Sequence, residues 1–215
     1  MEFAKSRKGF WPDLDFLISY CQTNFKVLDL GCGSGRLYSV LKEKNIDYLG
    51  VDFSQKLIDQ AVLENPGGNF KLADVLNLPQ DLKDFDLIYS LAVWHHIPSY
   101  KLRLKFLLEA KRVLKKGGLL ILTVWGLRYT DIGKKYLFDY GLKRFFGLSS
   151  LDSGDILYPF KDNNGKILIN RYLHLFSLKE LINLAQEAQF QVIDSGFTQN
   201  EKGQKRNIYA ILKKI

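Results

Sequence analysis

From Lys26 to Leu30 the chain runs KVLDL and then meets Gly31, Gly33 and Gly35, each two residues from the next, before a helical pattern that extends from Ser34 to about Lys44. A short apolar run broken by glycine reads as a buried parallel strand. Where such a strand passes through glycines into a helix, backbone N–H groups can approach a ligand with no Cβ in the way. Alone, the loop fits a dinucleotide, another ligand, or no more than a tight turn.

The neighbouring segments repeat the same unit. DYLGV at Asp47–Val51 is a second strand ending on Asp52, and Ser54 caps a helix with Leu57, Ile58, Ala61 and Val62 on one face. NFKLA (69–73) and FDLIYSL (85–91) are the third and fourth strands. A helix from Ser99 to Leu114 buries Leu102, Phe106, Leu107, Ala110, Val113 and Leu114 and stops at Gly117-Gly118. LLILTVW (119–125) is the fifth strand, and an entry helix is expected over 12–23, from Pro12 and the spacing of Leu14, Leu17, Ile18 and Cys21. Strands alternating with helices imply an α/β fold with a parallel sheet covered on both faces.

Beyond residue 126 the rhythm breaks. Residues 127–170 are expected to be an insertion facing the active site, too short for its own core, with a weak helix near Lys134–Phe146 and a polar turn at 161–165. A helix (Ser177–Gln189) then leads to strands at Phe190–Ile193 and Asn207–Leu212, a closing antiparallel hairpin. With 215 residues, 47% of them hydrophobic, the chain is expected to be a single domain with a full core.

Composition narrows the function classes. Cys21 and Cys32 lie outside any paired spacing and three histidines offer no zinc-ligand cluster, so no metal is expected and a reducing, cytoplasmic setting is favoured. No run approaches the roughly 20 apolar residues that span a bilayer, so no membrane role is expected. The formal charge of +8 favours a polyanionic partner.

Spacing separates the cofactors. A dinucleotide fingerprint would place its third small residue at position 36, which is Arg36; the small residue is Gly35. Asp29, just before the loop, would repel a pyrophosphate but can face an ammonium group such as S-adenosylmethionine (SAM) carries. Asp52 and Asp74 close the next two strands, where carboxylates can accept from ribose hydroxyls and from an adenine amino group. Ligands of doubly wound sheets bind at these carboxyl ends. Each acid alone could be a helix cap or a solvated turn.

VLDLGCGSG, GVDFS, LADVLNLP, FDLIYSLAVWHHI and RVLKKGG, spread over residues 26–125, resemble the successive motifs of class I SAM-dependent methyltransferases. The resemblance implies a Rossmann-like seven-stranded, mostly parallel sheet of order 3-2-1-4-5-7-6 with the last strand antiparallel. It also implies SAM held by Asp29, Gly31, Cys32, Gly33, Asp52, Phe53, Asp74, Val75 and Leu91.

A narrower resemblance, to the tRNA wobble-uridine carboxymethyl methyltransferases, is carried by FAKSRKGFWP at 3–12, AVWHHI at 92–97 with Arg103, DILYPF at 155–160 and RYLHLF at 171–176. It implies esterification of a carboxymethyl group in a tRNA anticodon arm, and a small zinc-binding activator as partner. Such a carboxylate is already ionised at pH 7, so its methylation needs positioning rather than a general base. His95, His96, Arg171, Tyr172 and His174 are then expected to position the acceptor, with Arg7, Trp11, Trp125 and Arg128 binding substrate through charge and stacking.

Strand alternation puts Tyr172 and His174 on one face and turns Arg171 the other way, toward a phosphate or a salt bridge to Asp155. One of His95 and His96 could instead bond the backbone at the strand end, and Trp125 could be core. Two other functions share these cofactor residues: a small-molecule carboxylate, phenol or quinone-precursor methyltransferase, and a SAM-binding subunit without turnover.

Overall fold

The computed structural model describes residues 10–162, 164–200 and 203–215. Arg7 and the start of the 3–12 motif lie outside them.

The elements follow in chain order: a 3-10 turn at Pro12–Leu14, α1 (Asp15–Ile18), β1 (Lys26–Leu30), α2 (Arg36–Leu41), β2 (Asp47–Asp52), α3 (Gln55–Glu64), β3 (Phe70–Leu72), β4 (Phe85–Leu91), α4 (Tyr100–Val113) and β5 (Leu114–Trp125). Then come α5 (Asp131–Phe145), β6 (Asp155–Lys161), β7 (Ile167–His174), α6 (Leu178–Glu187), β8 (Phe190–Gln199) and β9 (Lys205–Lys214). Seven strands form one sheet in the order β3-β2-β1-β4-β5-β9-β8. β9 runs antiparallel to both its neighbours and the other pairings are parallel. This is the class I methyltransferase arrangement.

Each face of the sheet has its own core. Leu28, Leu30, Ile88, Leu122 and Ala210 pack with Phe106 and Ala110 of α4 and Leu181 and Leu184 of α6. Val27, Leu87, Tyr89, Ile121 and Ile211 pack with Leu17, Leu37 and Ile58 of the first three helices. Alternate residues of β1 thus serve opposite faces, as a sheet buried on both sides demands.

Several boundaries differ from the sequence reading. The entry helix is one short turn, because the Ser19 hydroxyl bonds back to Phe16 O at 2.6 Å and the buried Tyr89 hydroxyl takes Leu17 O at 2.8 Å, using carbonyls that a longer helix would need. α4 ends at Val113, ahead of the glycines, and β5 starts at Leu114. The pairing then jumps from Phe85↔Leu114 to Leu87↔Leu119, so a bulge absorbs Lys115–Gly118. The closing hairpin is longer than expected, and its tip is tied down by Asn207 and Thr198, both donating to Asp13 Oδ2.

The insertion holds more structure than its composition suggests. Beside α5 it forms an antiparallel β6–β7 pair, and Ile156, Leu173 and Leu175 make a small third core with Trp125, Tyr136, Leu137 and Tyr140.

Candidate active site

The glycine loop is built for close approach. Gly31 has φ +77°, and a Cβ there would lie 2.4 Å from Val93 Cγ2; its N–H and that of Cys32 both donate to Val51 O. Gly35, at φ +79°, starts α2 in the left-handed region that favours glycine. A Cβ on Gly33 would meet nothing within 4 Å.

Asp52 locks this loop to the next unit. Its carboxylate accepts from Gly33 N at 3.1 Å and from Ser54 N, the cap of α3, at 2.9 Å. Asp29, 3% exposed, accepts from the Tyr48 hydroxyl at 2.8 Å. Burial raises the Asp29 carboxyl to about 7; the Tyr48 bond pulls it down, the Asp52 charge pushes it up and Arg36 pulls it down. Burial likewise pushes the Cys32 thiol up, so it is no nucleophile. Asp74, exposed just past β3, accepts from Leu76 N and Asn77 Nδ2.

All nine residues expected at the cofactor line one cavity of about 610 Å³ at the carboxyl ends of β1, β2 and β4. The donor set fits SAM. A dry carboxylate with one partner suits an ammonium, Asp52 keeps lone pairs for hydroxyls, and Phe53, Val75 and Leu91 offer apolar walls to a flat base.

A larger cavity, about 1040 Å³, adjoins it and shares Trp11, Arg36, Leu91, Ala92 and Trp125 as common wall. Its far side is formed by Tyr129, Thr130 and the β8–β9 tip, where Lys205 lies over the Tyr129 and Phe197 rings. Between the two, Ala92 has φ +59° and is held by bonds from its N–H to Thr123 O and Oγ1. That strained residue turns the chain from β4 into the short Trp94–His96 helix.

The expected acceptor residues divide. His96 and Tyr172 line the cofactor cavity, as does Arg171, whose guanidinium lies over the rings of Trp125 (4.8 Å) and Phe160 (5.3 Å). Trp11 lines both cavities, with Arg36 stacked on it at 3.6 Å. His95 is buried, its ring packed at a tilt against that of Trp125 with centroids 4.8 Å apart, and it accepts from Trp125 N at 3.4 Å. His174 is buried too, with its ring nitrogens at Asp155 and Glu180. Arg128 donates to Leu175 O and lines neither cavity.

The salt bridge considered between Arg171 and Asp155 is corrected by the structure. β6 pairs Asp155 with His174, so its carboxylate faces His174, Tyr172 and Arg103 on the opposite side of the hairpin from Arg171. Tyr48, Arg36 and Glu180 were not singled out from sequence. Of these only Glu180 carried a local signal, as the last residue of the Ser177-x-x-Glu180 capping box.

Known proteins match this architecture. A family pattern described as a methyltransferase domain covers residues 28–122. A candidate methyltransferase of Encephalitozoon cuniculi (strain GB-M1) is 31% identical over 214 residues, 99% of this chain and 90% of the relative. The tRNA (carboxymethyluridine(34)-5-O)-methyltransferase of Schizosaccharomyces pombe is 27% identical over 91% of this chain and 86% of that protein. The Arabidopsis thaliana enzyme of the same name is 30% identical over 129 residues, and this chain spans only 31% of its length.

Among solved structures, a SAM-dependent methyltransferase of Methanosarcina mazei superimposes with a TM-score of 0.76 at 23% identity, over 96% of this chain and 99% of that one. A Haloferax volcanii methyltransferase solved with the Trm112 methyltransferase activator gives 0.61 at 16% identity, over 89% of this chain and 83% of that one. Fold, cavity and a relationship along nearly the full chain agree on the cofactor, S-adenosyl-L-methionine, and the chain belongs to the SAM-dependent methyltransferases.

Proposed function

We propose that the chain esterifies the carboxylate of a carboxymethylated wobble uridine in tRNA. One observation carries the reading: where the two cavities join, Arg171 sits against Trp125 and Phe160, a planar cation framed by aromatic rings beside the cofactor residues. That combination suits an acceptor that is both anionic and attached to a flat base, since an Arg holds a carboxylate by two parallel bonds and rings stack on unpaired bases. The larger cleft adds Arg36, Lys205 and Arg206 near its walls, as a polyanion would require. The relatives named for this reaction support the reading.

Bound SAM, held by Asp29, Asp52 and the glycine loop, would supply an electrophilic methyl to a carboxylate oxygen, with sulfur keeping the electron pair of the broken C–S bond. No proton moves, so the residues need only orient the carboxylate and shed its water. A small zinc-binding activator, which the family resemblance implies, is part of the reading, and the Haloferax volcanii neighbour solved with a methyltransferase activator supports the presence of such a partner. Comparing the chain alone with the chain plus such a protein tests that part.

The ester has a chemical signature. Label transferred from SAM to total tRNA should leave as methanol under mild base, whereas a methyl on ring nitrogen, ring carbon or ribose oxygen persists. Full retention of the label overturns the esterification, and labelling of small metabolites instead of tRNA overturns the RNA acceptor.

A further inference from the structure

Behind the wall of the cofactor cavity lies a buried cluster that joins four elements. The Tyr172 hydroxyl on β7 donates to Asp155 Oδ1 on β6 at 2.6 Å and accepts from Arg103 Nη1 on α4 at 3.0 Å. A phenol has one proton, and here it is committed inward. Asp155 Oδ1 also meets His174 Nδ1 at 2.6 Å, with Arg103 Nη1 3.6 Å away. On its other side His174 Nε2 meets Glu180 Oε1 of α6 at 2.7 Å. The side chains of Arg103, Asp155 and His174 are at most 4% exposed.

A neutral imidazole has one N–H, so between two carboxylates one contact would set lone pair against lone pair. Imidazolium removes that conflict, and the cluster then holds two positive and two negative charges, the balance that burial demands. Burial opposes protonation of His174, yet its bonds to Asp155 and Glu180 outweigh burial and the Arg103 charge and raise it above the usual histidine value. Both carboxyls are held low against their own burial, chiefly by His174.

We propose that Glu180 is a positioning residue for methyl transfer: it holds the His174 imidazolium, through which Asp155 fixes the Tyr172 hydroxyl and the Arg103 guanidinium behind the cofactor cavity. Its two oxygens divide the work. Oε1 takes His174, while Oε2 accepts from Ser177 N at 3.5 Å as half of the α6 capping box, whose other half is Glu180 N donating to Ser177 Oγ. The helix that packs beside α4 is thereby coupled to the strand that lines the cavity. The acceptor side depends on the proposed function only for the choice of RNA in the activity measurement.

Glu180→Gln keeps the shape and an acceptor for the cap but removes the charge; Glu180→Asp keeps the charge and shortens the reach. Nitrogen-edited NMR of the histidine rings in the full chain reads the His174 protonation midpoint. Turnover is followed on an anticodon stem-loop RNA carrying carboxymethyluridine, and SAM binding by calorimetry.

The expected result for Glu180→Gln is a lower His174 midpoint and a kcat reduced roughly tenfold to a hundredfold, as for a misplaced reacting group. SAM affinity should stay within about twofold, because no cofactor contact is lost. The alkaline limb of the kcat profile should move down with the NMR midpoint, and Glu180→Asp should recover part of both. An unmoved midpoint in folded protein, or a moved midpoint with an unchanged kcat profile, overturns the proposal. If Glu180→Gln does not fold, the same readings on Glu180→Asp decide, with smaller shifts expected and no shift overturning it. Should the wild type transfer nothing to the RNA, the acceptor reading fails, and the Tyr172 ring signals decide here: they must follow the His174 titration, and signals that ignore it overturn the proposal.

Discussion

The guanidinium of Arg171 lies 4.8 Å from the ring centre of Trp125, an indole that faces both cavities and also contacts the β6–β7 hairpin. The Trp125 and Phe160 rings on which the guanidinium lies confine it beside the cofactor residues. A lysine keeps the charge but has neither the plane nor the paired donors. Arg171→Lys is therefore expected to lower kcat/KM for the RNA acceptor by about 1.5 to 3 kcal/mol, roughly tenfold to a hundredfold, in steady-state assays. Calorimetry should show unchanged SAM affinity.

Asp52 tests the cofactor side. Its oxygens already accept from Gly33 N and Ser54 N, and its free lone pairs are the expected partners of the ribose hydroxyls. Asp52→Ala should weaken SAM binding by about 1 to 3 kcal/mol, measured by calorimetry. Unchanged affinity would remove Asp52 from the site.

Asp29 gives a pH dependence. Its folded value of about 7 lies above the ordinary 3.8, so the folded protein holds an extra proton between those limits and its stability falls as pH rises through that window. Tyr48, Arg36, Asp52 and Cys32 are the groups around it. The gap corresponds to at most about 4 kcal/mol. Without SAM, Asp29→Asn should raise the melting temperature at pH 8 and change it less at pH 5. With SAM, whose ammonium favours the ionised form, wild-type affinity should climb toward pH 7 and then level off, while the Asn variant binds weakly throughout.

RNA binding should respond to salt. If several phosphates of an anticodon arm contact this +8 chain, the log of the binding constant should fall with the log of salt by about 0.7 per contacted phosphate. Fluorescence anisotropy from low to physiological salt reads the slope, and a flat line would favour a small acceptor.

The sheet and the cofactor wall were legible because their signals are local. KVLDL, the glycine spacing and the three strand-end acids each occupy a few consecutive residues, and the fold brings them to one place by its topology. Of the hairpin Asp155–His174, strand alternation was legible only over Arg171–His174, and the pairing with Asp155–Lys161 was not. Its second strand, ILINRYLH, lacks clean alternation, since Ile167, Leu168 and Ile169 are all exposed while Leu173 and His174 are both buried. The inward commitment of His174 was equally hidden: it depends on Glu180 and Asp155, six and nineteen residues away, and on a pairing register that periodicity cannot supply. Tyr48 falls in the same class, because contact with Asp29 exists only once β1 and β2 lie side by side.

The shared wall between the cavities has a consequence for substitution. Apart from Trp11, Trp125, Arg171 and Tyr172, the described residues around the donor cavity all come from 29–98, whereas the far side of the larger cleft is formed by residues within 123–131, Asn200 and residues 204–207. These are separate stretches of gene. Substitutions in the second set that spare Trp125 would therefore reshape the acceptor cleft while leaving the residues that line the donor cavity in place.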